Sequence, residues 1–286
     1  MPDQLKLDVF VAPMRSMQGA AAQGAGDDPM WSPMSSTLIH GASQAVLVDT
    51  LVTNDQVDAP VDWIEGFDVK LTTIYITHGH VDHWIGLARL LQRFPNARGL
   101  ATPEVVGRAN FEATHPPLAA YWQGIFPGEV PAAPVVPEVL DGTAIDLEGN
   151  ELRVLNVGRG DTEHSTVLHV PSIDAVVAGD IVYNQVHMML AETDPRTREE
   201  WIAANDTIEA LNPRIVVSGH KRVGADDSLA TLEETRQYLR DFSRIADQQP
   251  TVEGIVREMM ALHEERDNPR VLWHSARAEV MRRSQM

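Results

Sequence analysis

Apolar and polar residues alternate in several short segments of this chain, which is the pattern of half-buried β-strands. Residues 5–11 alternate in this way, and residues 36–40 and 45–50 form two more such runs, separated by a turn at 41–44 that predicts a hairpin. Residues 71–77 form a run rich in β-branched side chains, which is typical of a buried strand. The first third of the chain is therefore predicted to contribute a β-sheet.

Helical spacing of apolar residues begins after the strand at 71–77. Trp84, Leu87 and Leu90 are three residues apart, with Asp82 predicted as the N-cap. A short helix is expected around 55–66. Residues 102–137 are expected to form a helix that carries Tyr121 and Trp122 and then an irregular connection, because four prolines lie at 127, 131, 134 and 137.

Strand and helix patterns alternate through the rest of the chain. Strands are predicted at 143–146, 151–157, 166–170, 175–178 and 214–217, with a helix at 197–211 and helices over the last 60 residues. This alternation predicts an α/β fold. We expect a single domain over residues 1–286, with residues 228–286 as a C-terminal helical extension.

Charge narrows the range of partners. The chain has 41 acidic and 23 basic residues, for a formal net charge of −18. Such a charge repels phosphate backbones and anionic membrane surfaces, so neither nucleic acid nor a membrane is an expected partner. The expected partner is a small-molecule substrate. The chain has no cysteine, which excludes disulfides and thiolate metal ligands. The polar N-terminus and the lack of a long apolar run predict a cytoplasmic protein.

Four side chains that can bind a metal lie within six residues. His78, His80, Asp82 and His83 supply imidazole nitrogens and a carboxylate, which borderline divalent metals such as zinc bind when thiolates are absent. In an extended segment His78 and His80 project to the same side, while Asp82 and His83, at the turn into a helix, can face a second ion. Gly79 allows the backbone to bend between the two histidines. The spacing allows a site for two metals.

This motif, preceded by a strand and followed by further candidate ligands at strand ends, resembles the metallo-β-lactamase superfamily over roughly residues 5–220. The resemblance implies a four-layer αββα sandwich of two mixed sheets flanked by helices. It also implies that Asp49 supports the metal loop, that Asp180 bridges both metals and that His220 is the last ligand of the second metal.

One position departs from the family pattern. Residues 160–165 align with the family sequence Gly-His-Thr-x-Gly-Ser, which puts Asp161 where a ligand histidine is usual and His164 at the position of the glycine. Either Asp161 is the third ligand of the first metal, or His164 replaces it; the alignment favours Asp161. Zinc is the first choice of metal. Manganese and iron remain alternatives, because an extra carboxylate suits all three metals.

The resemblance also implies a hydrolytic mechanism. A hydroxide held between two metals would attack a carbonyl, since the metals depress the pKa of bound water. Asp82 or His164 would move the proton, and Tyr183 lies where lactonases of the superfamily place a tyrosine that hydrogen-bonds the substrate. His187 follows the same turn and is expected to be structural. The expected substrate is a small neutral ester, lactone or amide.

Alternative functions on the same fold remain open at this point. One is a glutathione-thioester hydrolase, although only Lys221 and Arg222 follow His220 as basic residues. Another is an iron-dependent oxygenase, although seven ligands favour two metals. Residues 16–36 and 102–137 are expected to form the pocket walls and determine the substrate, and the surface leaves room for a homodimer. No role is assigned to the remaining histidines, which are His40, His115, His169, His263 and His274.

Overall fold

Two β-sheets form the centre of the protein in the computed structural model, which describes residues 4–18 and 29–285. The strands are β1 (Lys6–Ala12), β2 (Arg15–Ser16), β3 (Met30–Trp31), β4 (Met34–His40), β5 (Gln44–Val48), β6 (Lys70–Tyr75), β7 (Arg98–Ala101), β8 (Glu138–Val139), β9 (Ala144–Leu147), β10 (Asn150–Arg159), β11 (Glu163–Val170), β12 (Ala175–Asn184) and β13 (Ile215–Lys221). The helices are α1 (Asn54–Glu65), α2 (Val81–Trp84), α3 (Leu87–Arg93), α4 (Pro103–Thr114), α5 (Pro116–Ile125), α6 (Pro195–Glu209), α7 (Ala230–Gln248), α8 (Val252–Leu262) and α9 (Pro269–Ser284).

Both sheets are mixed. The six-stranded sheet has the order β1-β4-β5-β6-β7-β8, antiparallel from β1 to β5 and parallel from β5 to β8. The five-stranded sheet has the order β13-β12-β11-β10-β9, in which β12 and β13 are parallel and the other neighbours antiparallel. A small ribbon of β2 and β3 lies apart from both.

Successive side chains of the central strands pack on opposite faces of their sheet and so belong to different hydrophobic cores. On β5, Val46 and Val48 pack between the two sheets, while Ala45 and Leu47 pack against helices α1 and α3 to α5. On β12, Val177 faces the other sheet, and its neighbours face α6 to α9. Because a strand presents successive side chains to opposite faces, each sheet buries both faces. The predicted four-layer αββα sandwich is thereby confirmed.

The predicted elements agree with the structure in kind and differ mainly at their ends. The C-terminal helical extension is present as α7 to α9, and its apolar stripes pack on the second sheet through Leu239, Phe242 and Met259. The prediction that Asp82 is an N-cap is wrong: α2 begins at Val81, and Asp82 lies in its first turn. The Asp82 carboxylate instead faces His220, with 3.4 Å between Oδ2 and Nε2.

No helix within residues 4–18 and 29–285 combines the length and the apolar character needed to cross a bilayer. Part of the segment 16–36, which is expected to form a pocket wall, lies outside the described residues, since positions 19–28 are not among them.

Candidate metal centre

The functional side chains come from the loops and strand ends at one edge of the two sheets. The turn from β6 into α2 carries His78, His80, Asp82 and His83. Asp49 follows β5, and Asp161 lies in the connection between β10 and β11. Asp180 and His220 lie within the neighbouring parallel strands β12 and β13, which continue for several residues beyond the strand ends predicted for them. The fold therefore brings together residues that are more than 170 positions apart.

Close backbone approach explains two glycines of the site. A Cβ on Gly219 would lie 2.1 Å from Oδ1 of Asp180, so only glycine leaves room for that carboxylate between the strands. A Cβ on Gly79 would lie 2.3 Å from Cγ of Arg108 on α4. The turn is also held from the other side, where the Trp84 indole donates to the Gly79 carbonyl at 2.9 Å.

Three of the four histidine rings have one nitrogen held by the structure behind them. His83 Nδ1 lies 2.9 Å from Asp49 Oδ2, and His220 Nδ1 lies 3.0 Å from the Pro33 carbonyl oxygen. His78 Nδ1 lies 3.1 Å from the Thr77 hydroxyl, which itself donates to Asp49. These contacts place the proton on Nδ1 of each ring and leave Nε2 free to bind a metal.

His80 has the opposite arrangement. Its Nε2 lies 3.3 Å from Oε1 of Glu192, and its Nδ1 lies 2.9 Å from Oδ2 of Asp161. A metal beside Asp161 would therefore be bound by Nδ1 of His80, with Glu192 orienting the ring from behind.

The ligand atoms fall into two groups, and Asp180 lies beside the second. His78, His80 and Asp161 form the first group, in which every pair of ligand atoms lies within 4.8 Å. The second group, with the same spacing, consists of Asp82, His83 and His220. Asp180 reaches the second group, with Oδ1 3.3 Å from His83 Nε2 and Oδ2 3.3 Å from His220 Nε2. A third group contains Asp49, but its carboxylate is already occupied by Thr77 and His83.

The buried polar atoms of the site fit divalent metal ions. His78 Nε2, His83 Nε2, Asp161 Oδ1 and Asp180 Oδ1 are buried and have no hydrogen-bond partner. Buried polar atoms are almost always paired, so four unpaired ones directed into one space fit the binding of a cation. Three buried carboxylates in that space would also be costly without cations to balance them.

Burial and the neighbouring histidines shift the pKa values of the three carboxylates in different directions. Burial raises the pKa of Asp82, but His83 and His220 outweigh this effect and lower it to about 2. Burial likewise opposes ionisation of Asp180, yet the same two rings hold its pKa well below the usual range. Burial dominates for Asp161 and raises its pKa to about 6, against the opposing charge of His80. Asp82 and Asp180 are thus ionised at neutral pH.

Tyr183 lies at the back of the site, fully buried on β12. Its hydroxyl donates to Asp180 Oδ2 at 2.7 Å and lies 3.5 Å from Asp161 Oδ2. The hydroxyl therefore lies beside Asp180 and Asp161, and Tyr183 also lines the adjoining cavity.

His164 and His187 lie away from the ligand groups. His164 has an exposed side chain at the start of β11, with a backbone φ of 58°, and it belongs to none of the groups found among the described residues. Its inclusion among the metal ligands is therefore not supported, and Asp161 occupies the position beside His78 and His80. His187 is buried, and its Nδ1 lies 2.9 Å from the Tyr238 hydroxyl, which fits the expected structural role.

A cavity of about 340 Å³ opens beside the ligand groups. Both segments expected to form pocket walls contribute to it, through Trp31 and through residues of α4 and α5. Sequence analysis missed four of its polar residues, which are Arg108, Glu112, Glu192 and His274. Arg108 and Glu112 are four apart on α4, but nothing in their spacing pointed to the metal site.

Comparisons with known proteins agree with this geometry. Residues 30–220 match the family model of the metallo-beta-lactamase superfamily. A comparison with curated protein sequences gives no match.

Solved structures with the same fold cover most of the chain. A metallo-beta-lactamase family protein from Thermus thermophilus has 18% identity and a TM-score of 0.65, with 97% of this chain and 94% of that chain covered. A metallo-beta-lactamase from Pontibacter korlensis has 19% identity and a TM-score of 0.56, covering 82% and 99%. FIM-1 from Pseudomonas aeruginosa, in its mono-zinc form, has 15% identity and a TM-score of 0.57, covering 81% and 97%.

At these identities the solved structures support the fold alone. The family match spans about two thirds of the chain and includes all eight predicted ligands, six of which are buried. The chain belongs to the metallo-β-lactamase superfamily.

Proposed function

We propose that this protein hydrolyses a small uncharged ester, lactone or amide with two bound divalent metal ions, zinc being the first choice. Superfamily membership and the buried His and Asp groups support a metal-dependent hydrolase in general. The observation that carries the proposal is the set of four unpaired ligand atoms in one buried space.

In this proposal each ligand group holds one metal ion. His78, His80 and Asp161 would hold the first ion, and Asp82, His83 and His220 would hold the second, with Asp180 between them. Ions bound there would supply a hydroxide near neutral pH and polarise a substrate carbonyl. The greater share of carboxylate also suits manganese or iron, which stay as alternatives to zinc.

Two residues of the chain are proposed to handle protons and hydrogen bonds. Asp82 lines the cavity, and its carboxylate is the group proposed to accept a proton as hydrolysis proceeds. Tyr183 holds Asp180 in place and presents the only phenol that touches both carboxylates among the described residues. It can donate a hydrogen bond to the substrate if its bond to Asp180 is exchanged.

A metal count combined with a substrate panel tests the proposal. Purified protein is analysed for bound zinc, manganese and iron. The number of ions per chain is measured as well, because a structural relative was solved in a mono-zinc form. Activity is then measured on a lactone, an ester, a thioester and a β-lactam. We expect two ions per chain and activity on the uncharged lactone or ester.

Variants separate the metal mechanism from background activity. His80→Ala is expected to lose one ion and at least about 100-fold in kcat/KM, since it removes a ligand of the first metal. Asp161→Ala should also lose an ion, whereas the exposed His164→Ala should keep both. Activity that survives His80→Ala would refute the proposal, and a single bound iron would favour the oxygenase alternative.

A further inference from the structure

The cavity beside the metal centre has apolar walls drawn from several parts of the chain. Trp31 comes from β3, Leu118 and Trp122 from α5, Met189 from the segment after β12 and Val271 from α9. The Trp31 and Trp122 rings meet edge to face, with 4.9 Å between their centroids and an interplanar angle of 65°. Their indoles are mostly buried, so this wall is held by packing.

Apart from the candidate metal ligands, the charged side chains that line the cavity carry a net negative charge. Arg108 is the only lysine or arginine among the cavity-lining residues of the described ranges. Its Nη2 lies 2.7 Å from Oε1 of Glu112 and 2.7 Å from Oε1 of Glu192. Two carboxylates therefore balance one guanidinium, and a carboxylate or phosphate on a substrate would meet them as like charges.

His274 adds a polar but uncharged group to the wall contributed by the C-terminal extension. Burial, followed by the positive charges of Arg270 and Arg277, lowers the pKa of His274 to about 4. The imidazole is neutral at pH 7 and can donate or accept a hydrogen bond without attracting an anion.

We propose that the pocket formed by Trp31, Leu118, Trp122, Met189 and Val271 binds an uncharged apolar substituent of the substrate, of the size of a phenyl ring. The substrates would be neutral lactones or esters that carry such a group on the carbon bonded to the ester oxygen. A cavity of about 340 Å³ lies at the small end of ligand pockets, which fits a single ring or a short alkyl chain. This inference rests on the proposed hydrolase function.

Three lactones that differ in one substituent test the pocket. They are γ-butyrolactone, its γ-phenyl derivative and its γ-carboxylate derivative. Hydrolysis of each lactone is monitored through the acid that it releases. We expect kcat/KM for the phenyl derivative to exceed that for γ-butyrolactone by roughly 10- to 100-fold, because the ring is buried in the pocket. We expect the carboxylate derivative to fall below γ-butyrolactone. A phenyl-to-unsubstituted ratio near one would overturn the inference.

Two variants and a matched control place the effect in this pocket. Trp122→Ala should reduce the phenyl-to-unsubstituted ratio of kcat/KM, mainly through KM. Leu118→Asp should do the same, and because the Leu118 side chain is only half-buried, this position tolerates a polar residue better. Trp63→Ala on α1 removes a ring of the same size that contacts Phe10 and Phe67 outside the cavity. It should leave the ratio unchanged, and an equal loss in this control would overturn the inference.

A binding measurement separates this inference from the proposed hydrolysis. The ketone 3-phenylcyclopentanone has a methylene group in place of the ring oxygen of the phenyl lactone and so has no bond to hydrolyse. Its binding is followed by tryptophan fluorescence. Binding that Leu118→Asp weakens at least about 10-fold, without turnover of any lactone, would support the pocket and refute the hydrolase. Turnover of all three lactones at equal rates would support the hydrolase and refute the pocket.

Discussion

Glu192 determines how His80 presents its ring to the metal position. Its carboxylate accepts from His80 Nε2 at 3.3 Å and is held by Arg108 and by the Thr162 hydroxyl, the latter at 3.2 Å. Burial opposes its ionisation, yet the His80 hydrogen bond and Arg108 hold the pKa of Glu192 well below the usual range. An ionised partner on Nε2 fixes the tautomer that leaves Nδ1 free for a metal.

The change Glu192→Gln is expected to weaken metal binding at the first site about 10- to 100-fold, because the neutral amide orients His80 less firmly and faces Arg108 with a donor. Competition with a chromophoric chelator measures the affinity. Glu163→Gln is the matched control, since Glu163 is exposed and pairs with Arg159. Equal affinities in the two variants would contradict the assigned positioning role.

Residues close together in sequence were the easiest to predict as a site. His78, His80, Asp82 and His83 share one turn, so their spacing alone pointed to a metal. Asp180 and His220 needed the family pattern, because their proximity arises from the pairing of β12 with β13. Glu192 could not be found in this way, since its contacts with His80 and Arg108 exist only after folding. The choice between Asp161 and His164 depended on which way each side chain points, and the sequence does not contain that information.

Helix α4 supports the metal-binding turn through a contact that leaves no room for a side chain on Gly79. A Cβ there would lie 2.3 Å from Cγ and 2.5 Å from Cβ of Arg108. Arg108 also pairs with Glu112, whose carboxylate accepts from the Val81 amide at the start of α2 at 3.1 Å. Helix and turn are therefore coupled by packing and by hydrogen bonds.

The change Gly79→Ala is expected to destabilise the protein by about 1–3 kcal/mol and to weaken metal binding, because α4 or the turn must move to admit the methyl group. Urea unfolding with and without chelator measures both effects.

Gly107→Ala provides the control on the same helix. Nothing lies within 4 Å of a Cβ at Gly107, so this change should stabilise α4 by up to about 1 kcal/mol. If Gly79→Ala were as stable as Gly107→Ala, the close packing of α4 on the turn would be disproved.

Elements with a clear period were predicted well because the period reflects burial. The alternation in β5 matches its two buried faces, and the helical stripe after residue 84 matches the buried Leu87 and Leu90 of α3. The single helix expected from Asp82 is instead the short α2 followed by α3, with Ile85 and Gly86 between them. Aspartate is a common N-cap residue, but the Asp82 carboxylate lies in the second candidate ligand group and faces His220. Local propensity was overridden there by the requirements of the site.

At the scale of the whole molecule, the C-terminal extension belongs to both the core and the site. Helices α7 to α9 cover the second sheet, and α9 also supplies Val271 and His274 to the cavity. The family resemblance ended near residue 220, so it offered no information on this contribution. The last 60 residues were predicted as helices from their apolar stripes, but their contact with the cavity depends on how α9 crosses the other helices.

His187 connects the second sheet to this helical layer and remains neutral there. It is fully buried after β12, and Tyr238 of α7 lies beside its Nδ1. Burial, followed by the nearby Arg266 and His263, lowers the pKa of His187 to about 3. In the unfolded chain a histidine has a pKa of about 6.5.

Acid should therefore weaken the packing of the helical layer on the sheet. Above pH 6.5 His187 is neutral in both states and its contribution to stability is fully present. Between pH 6.5 and 3 the unfolded chain binds a proton that the folded protein excludes, so the free energy of unfolding falls as the pH falls. We expect His187 to account for a loss of about 2 kcal/mol between pH 7 and pH 5. Urea unfolding of the wild type and of His187→Gln at both pH values measures this contribution, because other titrating groups, including the metal ligands, are common to both proteins. If the two proteins lost the same stability on acidification, His187 would not be excluded from protonation in the folded state.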